Sequence, residues 1–373
     1  MSSRSFNASL DRMPTELLRM TGRHMSRDTL GSVTRVSKRL RIIFLSQLLR
    51  TMTFTGDVSE IARDIRSLQE KHPASPSGPL YKYIRFINFI LKSPLTLHQS
   101  MLSSRSLRTP GTVRDLFREA TELQGVSFDF GAAPLIWQEY FIAHLGDASD
   151  WPGLSSLCVF RAHPTIYRAI ISRSTSEDLK ALAVSSYRCY KRLKPRYSHL
   201  KRLAVVDFFW VPMGRLRPVK IAGILNDIAD NFKHLECLIL GNFLNATGYQ
   251  RQRQFQTEQD SRDLNIMIIK LVMTLKAMPR LVRFAFTLDD ATFGSRHFGE
   301  GWKPWNTDAG KMTWYTDQVH GISGCVPRLQ QLCIRTQPAT YIRGIRRSSQ
   351  PKMAISWQTD MQGTGHGFDQ VFV

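Results

Sequence analysis

A short apolar frame recurs along most of this chain and constrains its fold more than any other feature. In each copy an apolar residue is followed three positions later by a second and two positions after that by a third. The last two apolar residues are two positions apart, which places them on one face of a β-strand. The nine copies are Leu49-Met52-Phe54, Tyr81-Ile84-Phe86, Leu123-Val126-Phe128, Leu154-Leu157-Val159, Leu179-Leu182-Val184, Leu200-Leu203-Val205, Leu235-Leu238-Leu240, Leu281-Phe284-Phe286 and Leu329-Leu332-Ile334.

Stretches with the apolar spacing of a helix lie between the copies, at residues 58–68, 221–232 and 264–278. Asp57 and Glu60 match a capping box at the start of the first stretch. Strand and helix in alternation on a leucine frame predict an irregular leucine-rich-repeat-like α/β solenoid over residues 51–344. The alternative is a compact α/β domain with one parallel sheet.

The repeats are irregular in length. Successive copies begin between 21 residues (Leu179 to Leu200) and 48 residues (Leu281 to Leu329) apart, whereas regular leucine-rich repeats span ~20–29 residues. Much of the extra length falls into insertions at residues 245–263 and 289–311. Extra length in a solenoid goes to loops, often on the binding side. The sequence leaves open whether these loops cover the sheet.

The first fifty residues follow a different period. From residue 30 to residue 48 the apolar side chains recur at steps of three and four, and Pro14 suits the first turn of a helix. We therefore expect two or three short helices with one shared apolar seam over residues 8–50. So small a bundle buries little surface alone and is expected to lean on another chain or on the next domain.

These residues resemble the F-box, whose motif runs Leu-Pro-x-Glu-Leu-Leu, a gap, spaced aliphatics and Val-Ser-Lys. The matching residues are Met13-Pro14-Thr15-Glu16-Leu17-Leu18, Leu30, Val33 and Val36-Ser37-Lys38-Arg39-Leu40; Met13 and Thr21 depart from the usual Leu and Ile. The resemblance implies docking onto the small adaptor subunit of an SCF-type cullin–RING ubiquitin ligase, and through it onto cullin. The residues implied to bind the adaptor are Met13, Pro14, Leu17, Leu18, Leu30, Val33, Val36 and Leu40. A helical hairpin packed only on its own chain is the alternative.

The chain carries a formal net charge of +21, which favours acidic partners. Between residues 188 and 220 there are ten basic residues and one acid, Asp207, with Tyr187, Tyr190 and Tyr197 interleaved or adjacent. Basic residues with aromatics can grip phosphates and stack bases, so a nucleic-acid-binding or scaffold protein with no ubiquitination role is an alternative function. Because no nucleic-acid fold motif accompanies the stretch, we favour a solvated face or an acidic protein partner.

No catalytic or cofactor signature accompanies these patterns. The one segment with P-loop glycine spacing has Glu300 where the essential lysine belongs. The five cysteines form no CxxC pair and indicate reduced thiols in the cytoplasm or nucleus. We expect a non-catalytic protein without cofactor or metal and without a membrane span.

Residues between the apolar frame positions point to the other side of each strand, because a strand alternates its faces. They are predicted to form a mildly basic concave face that recruits an acidic or phosphorylated segment of a target protein. The set comprises Tyr83, Arg85, Ile87, Gly125, Ser127, Asp129, Ser156, Cys158, Phe160, Ala181, Ala183, Ser185, Arg202, Ala204, Val206, Cys237, Ile239, Gly241, Arg283, Ala285, Thr287, Gln331, Cys333 and Arg335. Those singled out for target binding are Arg85, Phe160, Arg202, Arg283 and Arg335.

The whole pattern resembles an F-box substrate receptor of fungal type with a leucine-rich-repeat-like region. Residues 8–50 would bind the ligase adaptor, residues 51–344 would bind the target, and residues 345–373 would form a polar tail. Within that tail, residues 354–357 could add one last strand.

Overall fold

The protein is described by a computed structural model that places residues 10, 13–70, 80–92, 112–131, 133–143, 145–146, 151, 153–174, 177–184, 197–205, 218–241, 258–287, 308–336, 340–347, 350 and 352–359. It is a mixed α/β protein that divides into two compact units, Met1–Asp178 (unit 1) and Leu179–Val373 (unit 2). The division falls inside the predicted repeat region.

Unit 1 begins with three helices and continues as an alternation of strands and helices. Its elements are α1 (Thr15–Gly22), α2 (Arg27–Val36), α3 (Lys38–Leu48), β1 (Thr51–Gly56), α4 (Val58–Glu70), a 3-10 helix (Leu80–Tyr83), β2 (Phe86–Leu91), α5 (Thr112–Glu119), β3 (Gly125–Asp129), α6 (Leu135–Ala143), β4 (Ser156–Phe160) and α7 (Pro164–Arg173). The four strands are parallel and adjacent in chain order.

A row of aromatic rings fills the core of unit 1. Phe54, Phe89 and Phe128 occupy matching register positions on β1, β2 and β3, and their rings stack at centroid distances of 5.7 and 5.5 Å. Phe117 of α5 and Phe141 of α6 contact Phe89 edge-on. The helices therefore cover this face of the sheet, which we call the helix-side face; the opposite one is the outer face.

The second copy of the apolar frame was predicted wrongly. Tyr81 lies in the 3-10 helix, and β2 starts at Phe86, whose side chain is partly exposed. In the observed register Ile87 pairs with Val126 and is fully buried on the helix-side face, so it cannot line the outer face as predicted. The true copy is Ile84-Ile87-Phe89, three residues later, because the tight 3-10 turn delays the strand.

Unit 2 repeats the alternation and ends in an antiparallel meander. Its elements are β5 (Ala181–Val184), β6 (Arg202–Val205), α8 (Pro218–Asn231), β7 (Cys237–Leu240), α9 (Glu258–Ala277), β8 (Arg283–Thr287), α10 (Asp308–Cys325), β9 (Gln331–Thr336), β10 (Thr340–Ile345) and β11 (Ala354–Thr359). Strands β5 to β9 are parallel and in chain order, whereas β9, β10 and β11 pair antiparallel.

Close contacts with α10 identify the helix-side face of the unit 2 sheet. A Cβ on Gly344 of β10 would lie 2.7 Å from Cγ1 of Val319, so only glycine allows the strand to approach this helix. The ring of Trp357 on β11 meets Tyr315 of α10 at a centroid distance of 6.2 Å. Frame residues such as Leu203 and Leu238 fill the same side and are fully buried.

Five local predictions are confirmed, which are three helices, one capping box and one strand. The 58–68 helix is α4, and its capping box forms: Asp57 Oδ1 accepts from the Glu60 amide at 2.9 Å, and Glu60 Oε2 accepts from the Asp57 amide at 3.0 Å. The helices predicted at 221–232 and 264–278 are α8 and α9, and the strand predicted at 354–357 is β11. No helix in the described part of the chain is long and apolar enough to cross a membrane.

Candidate docking module and arginine face

Helices α1, α2 and α3 form a module with its own small core. The buried residues of this core are Leu18, Leu30, Leu40, Ile43 and Phe44. The partly buried side chains of Met13, Met25, Val33 and Leu48 pack against them. Serine caps start two of the helices: Ser26 accepts from the Thr29 amide at 3.2 Å, and Ser37 accepts from the Leu40 amide at 3.1 Å. Each cap satisfies an amide that the helix itself leaves without a partner.

Polar ties hold α1 against α3. The Arg39 guanidinium donates to the Met13 carbonyl at 2.7 Å, and the Gln47 amide donates to the Arg19 carbonyl at 2.6 Å. A Cβ on Gly22 would lie 2.7 Å from the ring of Phe44, so the last residue of α1 must be small. The module is thus tied at both ends of α1.

The eight predicted adaptor-binding residues divide into two structural classes. Leu18, Leu30 and Leu40 are buried in the module's own core, and Met13 and Val33 pack beside them. These five shape the module, and the three leucines present no surface to a partner in this conformation. Pro14, Leu17 and Val36 are exposed.

The module leaves an unusual amount of apolar surface open. Leu17 is 47% exposed, Met20 60%, Val36 75% and Ile42 68%. Together with Leu10 they are five of the eleven large exposed hydrophobic residues in the described part of the chain, although the module is a small fraction of it. The sequence reading missed Met20 and Ile42; Met20 lies three residues after Leu17 and so falls on the same face of α1.

The outer face of the unit 1 sheet is close to neutral. Asp129 pairs with both Nε and Nη2 of Arg161, which follows β4, and also accepts from the Gly131 amide at 3.0 Å. Arg161 adopts a left-handed conformation at φ 54°, which costs energy for a side chain with a Cβ. The one acid predicted on the concave face is therefore neutralised.

Two residues of unit 1 were predicted to bind the target. Arg85 precedes β2, donates to the carbonyls of Lys82 and Glu122, and forms an ion pair with the Glu122 carboxylate at 3.4 Å. It connects the turn before β2 to the turn before β3. Phe160 ends β4, pairs in register with Asp129 and is partly exposed on the outer face.

The outer face of the unit 2 sheet collects arginines. Arg202, Cys237 and Arg283 pair in register across β6, β7 and β8 and therefore share one side of the sheet. Both arginine side chains are partly exposed and Cys237 between them is buried. Burial raises the pKa of the Cys237 thiol to about 11, and the guanidinium groups of Arg283 and Arg202 oppose that rise.

A second arginine pair lies on β9 and β10 of the same face. Cys333 pairs with Arg343, and Arg335 pairs with Tyr341, so all four side chains point to the outer side. The guanidinium carbon of Arg335 lies 5.7 Å from the centroid of the buried Tyr341 ring, a cation–π arrangement. Burial raises the pKa of the Cys333 thiol to about 12, again opposed by both arginines, Arg343 the more strongly.

Small side chains form a row across β5, β6 and β8 on this outer face. They are Ala183, Ala204 and Ala285, each buried, and the bulky exceptions are Ile239 and Tyr341. The seven described strands of unit 2 contain four arginines, Arg202, Arg283, Arg335 and Arg343, and no aspartate or glutamate. Arg343 was missed because β10 was not predicted, although the run Thr340-Tyr341-Ile342 is rich in strand-forming residues.

Several sequence predictions lie outside the described residues. These include Ser185 and Val206, most of the basic stretch at 188–220, and most of the insertions at 245–263 and 289–311. Among the residues that are placed, no group of three or more His, Cys, Asp or Glu side chains could hold a metal ion. No model of a known protein family matches the chain, and no curated protein shows significant similarity to it.

Proposed function

We propose that this protein is the substrate-recognition subunit of an SCF-type cullin–RING ubiquitin ligase. In this proposal α1 to α3 bind the small adaptor subunit and the strand–helix repeats bind a target protein. The chain itself performs no chemistry, because its contribution is to hold a target lysine near the ubiquitin donor carried by other subunits. Such a complex operates in the cytoplasm or nucleus.

The observation that carries the proposal is the apolar surface of the module. A three-helix unit that only packed on its own chain would have no reason to expose Leu17, Met20, Val36 and Ile42. Exposed apolar patches commonly mark protein interaction sites, and apolar anchors on a helix fit a groove in a partner. The resemblance of the same segment to the F-box supports the small adaptor subunit as that partner.

The repeat region supports the second half of the proposal. In each unit, adjacent parallel strands follow chain order, with the aromatic or aliphatic frame on the side of the helices. That order is typical of leucine-rich-repeat-like solenoids, whereas a doubly wound sheet reverses its strand order. A solenoid presents its outer sheet face to a partner.

The test measures capture of purified adaptor subunit by the full-length chain. Leu17→Lys with Met20→Lys should weaken capture by more than about 100-fold, because an ammonium buried without a partner costs several kcal/mol. Leu18 is unsuitable for this test because it is buried in the module's core, so its substitution would unfold the module.

A matched control makes the same change elsewhere. Ile269 and Met273 on α9 are 58% and 66% exposed, so Ile269→Lys with Met273→Lys adds the same charge to a similar apolar surface. Adaptor capture should be unchanged in the control, and circular dichroism should match wild type in both variants. Undiminished capture by the α1 variant would refute the adaptor-binding role.

A further inference from the structure

The four strand arginines of unit 2 form two pairs on one face. Arg202 and Arg283 flank Cys237 on β6 and β8, two strand spacings apart, which is about 10 Å. Arg335 and Arg343 lie on adjacent antiparallel strands. Arg335 pairs with Tyr341, two residues before Arg343, so the two arginines are diagonal neighbours, about 7–8 Å apart. Each pair is close enough for its two guanidinium groups to converge on one anion.

The distance between the two pairs follows from the sheet geometry. Cys237 lies at the centre of the first pair, and the midpoint of Arg335 and Arg343 is the centre of the second. These two points are two and a half strand spacings apart across the sheet and about three residues apart along the strands. With about 4.8 Å between strands and about 3.3 Å per residue, the pair centres are about 15 Å apart. An extended peptide covers that distance in about four to five residues.

The chemistry of the face favours phosphate over a carboxylate or an apolar partner. Guanidinium groups bind carboxylate and phosphate alike in a bidentate way. A phosphorylated side chain carries a charge of about −1.5 to −2 and so matches a pair of guanidinium groups, whereas a carboxylate carries a single charge. The Nε of Arg343 is buried and has no hydrogen-bond partner among the described residues, so this donor would gain a partner if the side chain turned outward to a bound anion. Between the pairs, the small side chain of Ala285 on β8 leaves room for a peptide backbone to lie against the sheet.

We propose that the outer face of the unit 2 sheet binds an extended target segment that carries two phosphorylated residues about four positions apart. This rests on the proposed function, since the segment belongs to the protein that the ligase recognises. One phosphate lies between Arg202 and Arg283, and the other lies between Arg335 and Arg343. The double requirement makes recognition depend on two modifications, because each single phosphate engages only one arginine pair.

The test uses fluorescein-labelled peptides of about twelve residues and the full-length protein. The peptides share a Gly/Ala/Ser sequence and carry no phosphate, one phosphoserine, two adjacent phosphoserines, or two phosphoserines four positions apart. The last should bind at least about tenfold more tightly than the singly phosphorylated peptide, as expected when a linked second site adds its affinity. Equal binding of all four peptides would overturn the proposal, and it would do so without any protein variant.

Protein variants assign the phosphates to the arginines. Arg335→Gln with Arg343→Gln should reduce the affinity for the doubly phosphorylated peptide to that for the single one. The control, Arg63→Gln with Arg66→Gln, removes the same charge from exposed positions of α4 and should leave binding unchanged. Lysine at 335 and 343 should restore part of the affinity, which separates loss of charge from loss of folding.

Two further outcomes would contradict the inference. Tighter binding of a uridine oligonucleotide than of the doubly phosphorylated peptide, with the same arginine dependence, would identify a nucleic-acid surface. Peptide binding seen only after Asp289→Asn with Asp290→Asn, the acids shortly after β8, would mean that the chain's own acids occupy the face. Adaptor capture by every variant is measured in parallel, so failure here is distinct from failure of the α1 to α3 docking role.

Discussion

In unit 1 the helix-side face of the sheet is filled by a row of stacked phenylalanines, whereas the matching positions of unit 2 are mainly leucine and valine. The outer faces differ more. Unit 1 presents Thr53, Asn88, Ser127 and an acid already paired with Arg161, while unit 2 presents four arginines around small side chains. The same apolar frame accommodates a phenylalanine core in unit 1 and a leucine and valine core in unit 2. Because both cores serve only to hold the sheet against its helices, a difference in function is expected on the outer faces.

The largest effect is expected from a substitution that interrupts the aromatic row of unit 1. Phe89 contacts the rings of Phe54, Phe117, Phe128 and Phe141. Phe89→Ala should reduce the free energy of unfolding by about 3–5 kcal/mol, through lost burial and the cavity it leaves. Hydrogen exchange of peptides from β2 and β3 measures the loss.

The neighbouring residue Asn88 provides the control, because it lies on the outer face. Among the described residues its side chain makes a single long hydrogen bond, to Thr53 at 3.4 Å. Asn88→Ala should change stability by less than about 0.5 kcal/mol. Equal effects at the two positions would mean that the helix-side and outer faces are assigned wrongly.

A smaller effect is expected when a methyl group is added by a glycine-to-alanine substitution. Its cost in stability should differ between the helix-side face and the outer face. Gly344→Ala places a Cβ 2.7 Å from Val319 and 2.9 Å from the sulfur of Met353 on the helix-side face of unit 2. Overpacking there should cost about 1–3 kcal/mol. Gly125→Ala places a Cβ 2.9 Å from the partly exposed ring of Phe86 on the outer face of unit 1.

That ring can swing aside into solvent, which leaves a mild contact of 3.2 Å with the Ser156 Cβ on β4. Gly125→Ala should therefore cost at most about 1 kcal/mol. Thermal melts of the two variants decide the comparison. A larger loss for Gly125→Ala would show that the outer face of unit 1 is packed as tightly as a core.

Loss of the ion pair between Asp129 and Arg161 in unit 1 should reduce stability only modestly. Asp129→Asn removes the charge that holds Arg161, and we expect a loss of about 1 kcal/mol in urea unfolding. The control is Asp64→Asn, whose partner Arg63 is largely exposed and which should have no measurable effect. A stabilising Asp129→Asn would mean that the strain at Arg161 outweighs its pairing.

The smallest effect concerns thiol chemistry on the two outer faces. The Cys237 and Cys333 thiols have pKa values of about 11 and about 12 when folded, against about 8.5 for a free thiol. At pH 8, iodoacetamide should modify partly exposed Cys158 and exposed Cys325 long before these two. Mass spectrometry of the labelled sites provides the measurement.

The sign of the accompanying pH dependence follows from the raised values. At about pH 7, well below the free-thiol pKa of about 8.5, the thiols are protonated in both states and their contribution to stability is nearly complete. As the pH rises from about 8.5 towards 11, the unfolded state loses protons first, so stability should fall. Rapid labelling of Cys237 in the native protein would show that the unit 2 outer face is more open than that of unit 1.

Much of the fold could be predicted because apolar spacing reports which side of an element is buried. The frames at Leu123, Leu154, Leu235 and Leu329 placed their strands and faces as observed. The frame at Tyr81 failed since two overlapping matches, Tyr81-Ile84-Phe86 and Ile84-Ile87-Phe89, fit the same pattern. Only the hydrogen bonds with β1 and β3 select between them.

The candidate surfaces were less predictable than the cores. Leu17 and Leu18 are neighbours with the same side chain, yet one is 47% exposed and the other is buried. Spacing identified a helix there but could not say which leucine α2 and α3 would cover. Likewise Arg343 joined the arginine face through antiparallel pairing with β9, a contact that no local pattern encodes.

The sequence by itself determined the alternation of strands and helices, the capped start of α4 and the inward frame, because each depends on residues a few positions apart. The tertiary structure alone decided which arginines share a face and which apolar side chains of the module remain exposed. Those properties depend on pairing between residues far apart in the chain, as with Arg202 and Arg283 on either side of Cys237. Register and packing set such distances, and neither is a property of any single segment.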